Sequence, residues 1–145
     1  MFNGKKILFI GNGGVGKTEI IRNLIGHNFR MPYTPTSGLV YYQNDTHMFI
    51  DRSGQEMPFL ISNDEMNQLN DVDEIILCYP SDQYSTLFLN VWFTYISRLN
   101  KPYKIFVTKS DISVPNSVAH RRDKFLNRLG VEKIFVTAKR PNLGL

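Results

Sequence analysis

Gly11-Asn-Gly-Gly-Val-Gly-Lys-Thr18 decides how this chain folds. Its spacing is G-x-x-x-x-G-K-[ST], the phosphate-binding P-loop. The flanks carry the same message. Ile7-Leu-Phe-Ile10 is a short apolar run that reads as a buried strand. Thr18–Ile25 places Ile20, Ile21, Leu24 and Ile25 at helical spacing, with Gly26 as the stop. Strand, glycine loop and helix are the parts this chemistry needs. Glycines let the backbone take positive φ and wrap a phosphate closely. The exposed N–H groups and the helix N-terminus then face the anion. Lys17 would reach the outer phosphates, and Thr18 would offer a hydroxyl to Mg²⁺. A glycine-rich strand–helix turn without a ligand is the blander alternative.

Composition bounds the rest. The chain has 145 residues, 42% hydrophobic and 21% charged, which suits one globular domain over residues 1–145. Seventeen basic and 13 acidic residues leave a formal charge of +4. Much of that excess sits in Lys5-Lys6 and in Arg121, Arg122, Lys124 and Arg128 of one predicted helix. A solvated helix face explains it better than a nucleic-acid site. The single cysteine, Cys78, lies in an apolar run and reads as a small core residue. His27, His47 and His120 have no metal-ligand spacing. No apolar run approaches a membrane span, and the apolar run before Gly11 is too short for a signal peptide. No cysteine stands near Leu145, so no lipid anchor is expected. An intracellular location follows, cytoplasm or nucleus.

The remaining architecture comes from short apolar runs. Ile75–Tyr79, Lys104–Val107 and Lys133–Val136 join Ile7–Ile10 as near-continuous hydrophobic stretches. Such runs suit strands buried on both faces. Gly38–Tyr42 and Thr46–Ile50 flank Gln43-Asn-Asp-Thr46, a tight hairpin signal. Tyr84–Leu99 carries Leu87, Phe88, Val91, Trp92, Tyr95, Ile96 and Leu99 on one helical stripe, which reads as core. A further helix starts after Ser113-Val-Pro115, turns Val118, Phe125, Leu126 and Leu129 inward, and stops at Gly130. The alternation predicts an α/β fold, a mostly parallel sheet with helices on both faces. Ligands in such folds bind beyond the carboxyl ends of the strands.

Five further segments follow in an order that resembles the Ras superfamily of small GTPases. Tyr33-Thr-Pro-Thr36-Ser-Gly38 looks like that family's first switch, preceded by Phe29. Asp51-Arg-Ser-Gly54-Gln55-Glu56 is similar to the second switch. Thr108-Lys109-Ser110-Asp111 resembles the base-reading element, and Thr137-Ala138-Lys139 the S-A-K element. The resemblance implies a small-GTPase domain that binds GTP and GDP with Mg²⁺ and hydrolyses GTP slowly. It implies a phosphate cradle of Gly11, Asn12, Gly13, Gly14, Val15, Gly16, Lys17, Thr18 and Glu19. Thr18 and Thr36 would ligate Mg²⁺ directly and Asp51 through a water, a small oxygen set that suits this ion. Gly54 would sense the γ-phosphate. Gln55 would orient the attacking water, the role of the Ras glutamine in phosphoryl transfer. Lys17, Thr36 and Gln55 are thus the implied catalytic group. Phe29 would lie edge-on to guanine, Lys109 along its plane, and Asp111 would accept from its N1–H and exocyclic amine. Thr108, Thr137, Ala138 and Lys139 would complete the base site. Singly, Asp51 reads equally as a strand-end turn residue, Gln55 as an exposed loop residue, Thr108–Asp111 as a turn, and Phe29 as core.

Ran and Rab members are the nearer branches in the P-loop and in the Ile25–Phe29 approach to the first switch. Exchange factors, activating proteins and switch-reading effectors are the partners implied, with transport receptors only for a Ran-like chain. Departures favour an alternative, a degenerate GTPase-like module that captures switch-reading partners with little hydrolysis. Thr108 replaces the family's usual asparagine. Arg52 and Ser53 are unusual after Asp51. Met57–Val72 is long and rich in Asn, Asp and Gln. The family's final helix is expected to be missing after Lys139, and the uncovered face would invite self-association or a partner. An ATP-using P-loop kinase is disfavoured by Asp111 following Lys109.

Overall fold

The computed structural model describes residues 3–11, 17–25, 39–52, 62–81, 86–109, 113–130 and 132–135. Its elements are β1 (Lys5–Ile10), α1 (Lys17–Ile25), β2 (Leu39–Gln43), β3 (His47–Arg52), α2 (Asn63–Gln68), β4 (Glu74–Pro80), α3 (Thr86–Leu99), β5 (Tyr103–Thr108), α4 (Asn116–Asn127) and β6 (Lys133–Phe135). The expectations for 136–145, including the absent final helix, fall outside the described residues.

The continuous apolar runs become the centre of one sheet. Strand order is β2-β3-β1-β4-β5-β6. All neighbours are parallel except β2 and β3. Ile7–Ile10 of β1 and Ile75–Tyr79 of β4 are wholly buried, as strands covered on both faces must be. Phe9 sits among them, edge-on to Phe49 at 5.6 Å and Phe106 at 6.1 Å between ring centroids. Ile20 and Ile21 of α1 and Trp92, Tyr95, Ile96 and Leu99 of α3 add their apolar stripes to this core.

The turns are chemically specified. Asn44 Oδ1 accepts from the N–H groups of Thr46 (2.9 Å) and His47 (2.8 Å), which closes the β2–β3 hairpin. β2 runs one residue later than the sequence predicts, and β3 starts one residue later and ends two later. The side-chain turn of Asn44 takes Thr46 out of the ladder. Ser62 caps α2 by accepting from the Glu65 N–H at 3.1 Å. Ser62-Asn-Asp-Glu65 is a capping-box sequence. Asn100, at φ 53°, ends α3 in the left-handed conformation. Pro115 stands at the N-cap of α4, and Gly130, at φ 67°, turns the chain away after it.

The sheet order reverses beside β1, which has β3 on one side and β4 on the other. That crevice is where open α/β sheets bind ligands. Cys78 lies beneath it on β4, fully buried. Burial pushes its thiol up to about 12, the Lys17 charge opposing and the Asp51 charge adding. At pH 8 its thiolate population is on the order of 10⁻⁴. Iodoacetamide should therefore leave the native chain unlabelled by mass spectrometry and label it after denaturation. Rapid labelling of folded protein would refute the buried placement.

Candidate functional site

The site begins at Gly11, which leaves β1 at φ 147° and is buried. Only glycine takes this backbone region without strain. Lys17 and Thr18 open α1, and both converge on one carboxylate. Thr18 Oγ1 donates to Asp51 Oδ2 at 2.6 Å. Lys17 Nζ stands 2.7 Å from Asp51 Oδ1, with side-chain exposures of 7% and 8%. That approach is close but off the hydrogen-bonding direction, so Oδ1 makes no directed hydrogen bond. Register explains the meeting. Phe9 pairs with Asp51 across β1 and β3, so the β3 carboxylate ends up beside the loop that follows β1. Glu19 is exposed in the first turn of α1.

Thr18 and Asp51 bring two hard oxygen groups together in a part-buried place. This fits Mg²⁺, which takes few protein ligands and keeps several waters. Among the described residues no group of three or more His, Cys, Asp or Glu could hold a metal ion.

The carboxyl end of β5 lies two strands away. Thr108 is fully buried, and its hydroxyl has no hydrogen-bond partner among the described residues. Lys109 follows at φ 56°, in the left-handed region. Asn12, Gly13, Gly14, Val15, Gly16, Phe29, Thr36, Gly54, Gln55, Asp111, Thr137, Ala138 and Lys139 lie outside the described residues.

Two arginines are buried against the expectation from residue type. Arg52, next to Asp51, is buried with its Nε donating to Glu65 Oε1 of α2 at 3.1 Å. Its guanidinium lies over the rings of Tyr95 and Trp92 of α3, at 5.0 and 5.4 Å. Burial, then the Glu65 carboxylate, hold the Tyr95 phenol well above its usual range. Arg122 corrects the expectation of a solvated basic face on α4. Arg121, Lys124 and Arg128 are exposed, but Arg122 is 8% exposed. Its Nη1 donates to the Ser81 carbonyl at 2.7 Å, and its Nε to Asp123 Oδ1 at 2.9 Å. Helical spacing held the signal, because Arg122 falls midway between Val118 and Leu126 on the inward stripe.

A family model described as "PduV-EutP: Ethanolamine utilisation - propanediol utilisation" matches residues 4–145. No curated protein sequence matches the chain. The fold recurs in solved structures of other proteins. A GDP-bound mutant of S. thermophilus NFeoB superposes with a TM-score of 0.67 at 21% identity, over 93% of this chain and 56% of that one. A mutant of Aquifex aeolicus Era bound to GDP and AlF₄⁻ gives 0.65 at 19% identity, over 96% and 53%. The apo elongation factor SelB of Methanococcus maripaludis gives 0.64 at 14%, over 95% and 30%. The chain thus spans between about a third and somewhat over half of these structures' own lengths. The fold is that of the P-loop GTPases. None of these comparisons supports the narrower Ran or Rab likeness. Among the described residues no helix is long and apolar enough to cross a membrane.

Proposed function

The chain belongs to the PduV-EutP family, and we propose that it is a guanine-nucleotide switch that binds GTP and GDP with Mg²⁺ and hydrolyses GTP slowly. The observation that carries this reading is the convergence of Lys17 and Thr18 on Asp51 at the strand-order reversal. A cation, a hydroxyl and a carboxylate stand there together at the start of a helix. Lys17 neutralises phosphate charge. Thr18 and Thr36 would hold the metal directly and Asp51 through a water, and the metal would supply charge neutralisation on the phosphoryl oxygens when bound. Thr36 and Gly54 sense the γ-phosphate, and Gln55 orients water. Lys109 and Asp111 recognise guanine, with Phe29, Thr108, Thr137, Ala138 and Lys139 completing the base site. Residues 1–145 act as one G domain. Exchange and activating proteins, and effectors that read the switches, are the partners of such a cycle, in an intracellular setting. A Ran- or Rab-like branch, with transport receptors for the former, is the narrower form.

Thr108 favours a second reading. Its buried hydroxyl, without a hydrogen-bond partner among the described residues, suits a module that binds nucleotide weakly and mainly captures partners.

Titration with fluorescent GDP, GTP and ATP, with and without Mg²⁺, tests the first reading. Mg²⁺-dependent guanine binding with ATP excluded is expected. Absence of guanine binding overturns it. Gln55→Leu should then slow single-turnover hydrolysis on the order of tenfold or more with nucleotide affinity unchanged. An unaltered rate removes Gln55 from the mechanism.

A further inference from the structure

Ser81, just past β4, bonds through all three of its polar groups. Its N–H donates to the Thr108 carbonyl at 2.9 Å, continuing the ladder beyond the Pro80–Thr108 pair. Its Oγ donates to the Lys109 carbonyl at 2.8 Å. Its own carbonyl accepts from Arg122 Nη1 at 2.7 Å. Ser81 is 2% exposed. A chain of hydrogen bonds therefore runs from α4 through Ser81 to the backbone of Thr108 and Lys109.

Lys109 needs such support. It is not glycine, yet its φ is 56°. A side chain other than glycine's is strained in the left-handed region. Such a conformation persists where the surroundings over-determine it. Here the carbonyl of Lys109 is gripped by Ser81, and the carbonyl before it by the Ser81 N–H. Arg122 fixes Ser81 from the far side. A buried guanidinium is costly unless it is bonded and charge-compensated. Asp123, bonded to its Nε, supplies the compensation.

We infer that Ser81 and Arg122 are positioning residues for base recognition, holding Lys109 in the left-handed conformation that sets the path of its side chain. The inference rests on the guanine-binding reading of the site. Neither residue belongs to the sequence motifs, and neither touches the Lys17–Thr18–Asp51 group in the contacts described. Their effect should fall on the base and spare the phosphates.

The test is competition against fluorescent GDP, with GDP and inorganic tripolyphosphate as the two competitors. Ser81→Ala should weaken GDP on the order of tenfold, from loss of a buried hydrogen bond, and leave tripolyphosphate unchanged. The effect should shrink to within about twofold in a Lys109→Ala background, because Ser81 acts through Lys109. Ser81→Thr, which keeps the hydroxyl, should restore GDP binding. Arg122→Lys is the second variant if Ser81→Ala does not fold, and should show the same selective loss. Equal weakening of both competitors, or full additivity with Lys109→Ala, overturns the brace as a base-positioning device. A wild-type chain that binds GDP no better than tripolyphosphate overturns the guanine reading, and the brace with it.

Discussion

Glu65→Ala should lower the unfolding free energy by roughly 3–5 kcal/mol, the range for breaking a buried ion pair from one side. The Arg52–Glu65 side chains are 11% and 5% exposed, so water screens them little. Truncation withdraws this carboxylate from a guanidinium enclosed by Trp92 and Tyr95. The rings still attract the cation, by about 0.5–2 kcal/mol each, which does not replace an ionic partner. The change also loosens α2, because Glu65 is both the third residue of that helix and its link to β3. For a chain of this size the loss corresponds to roughly 6–20 °C in melting midpoint. Urea and thermal melts followed by circular dichroism read it. Asp71→Ala is the contrast. It removes the partner of Lys6, but the Asp71 side chain is 60% exposed, and its loss should stay within about 1 kcal/mol. Arg52→Met with Glu65→Leu should recover most of the stability, since apolar replacement of a whole buried pair is often neutral. A Glu65→Ala loss below about 1 kcal/mol would show that the pair does not anchor α2.

Arg52 and Arg122 also mark the limit of what the residues alone reveal. β1, β4 and β5 were legible because continuous apolar runs have few other places to go than the middle of a covered sheet. The α3 stripe was legible for the same reason at helical period. Lys17 and Thr18 came from the P-loop spacing, and Asp51 from the resemblance of Asp51–Glu56 to a second switch. The resemblance placed both around one Mg²⁺, but their direct contact was not readable from local pattern, because Thr18 and Asp51 are 33 residues apart and meet through the β1–β3 register. Arginine is read as exposed by type, and that habit fails where a carbonyl, a carboxylate and aromatic rings replace water. In Arg122 the helical spacing contradicted the residue type, and the spacing was right. For Arg52 no local pattern exists, since its cage is built from α2 and α3. The start of α2 is marked by Ser62-Asn-Asp-Glu65, a cap signal inside a polar stretch that otherwise resembles a long loop.

Lys17→Ala should weaken GTP and GDP on the order of a hundredfold or more, from loss of charge-assisted bonds to phosphate. The structure makes this variant worse than a simple loss of contacts. Lys17 stands at 2.7 Å from Asp51 and balances its charge in a nearly closed site. Without the lysine, the Asp51 carboxylate faces an incoming polyphosphate with its charge unbalanced. Thr18 still donates to Asp51, but a hydroxyl does not neutralise it. The pair also sets a competition in the intact chain. Lys17 cannot sit fully on a phosphate while it stays on Asp51, and Asp51 cannot turn fully to a cation while it holds Lys17. Nucleotide and Mg²⁺ should therefore bind with positive coupling, each releasing one half of the pair to the other. Asp51→Asn separates these effects. In Mg²⁺-free buffer it should leave GDP affinity equal or tighter, because Lys17 is released. With Mg²⁺ added, it should lose most of the enhancement that the intact chain shows. Combined with Lys17→Ala, it should recover part of the binding lost, by removing the repelling charge. Competition titration with and without Mg²⁺ measures all four chains. Lys17→Ala within about threefold of the parent would remove Lys17 from phosphate binding. Asp51→Asn that weakens Mg²⁺-free binding as strongly as Mg²⁺-bound binding would show that the pair serves the fold and not the exchange of partners.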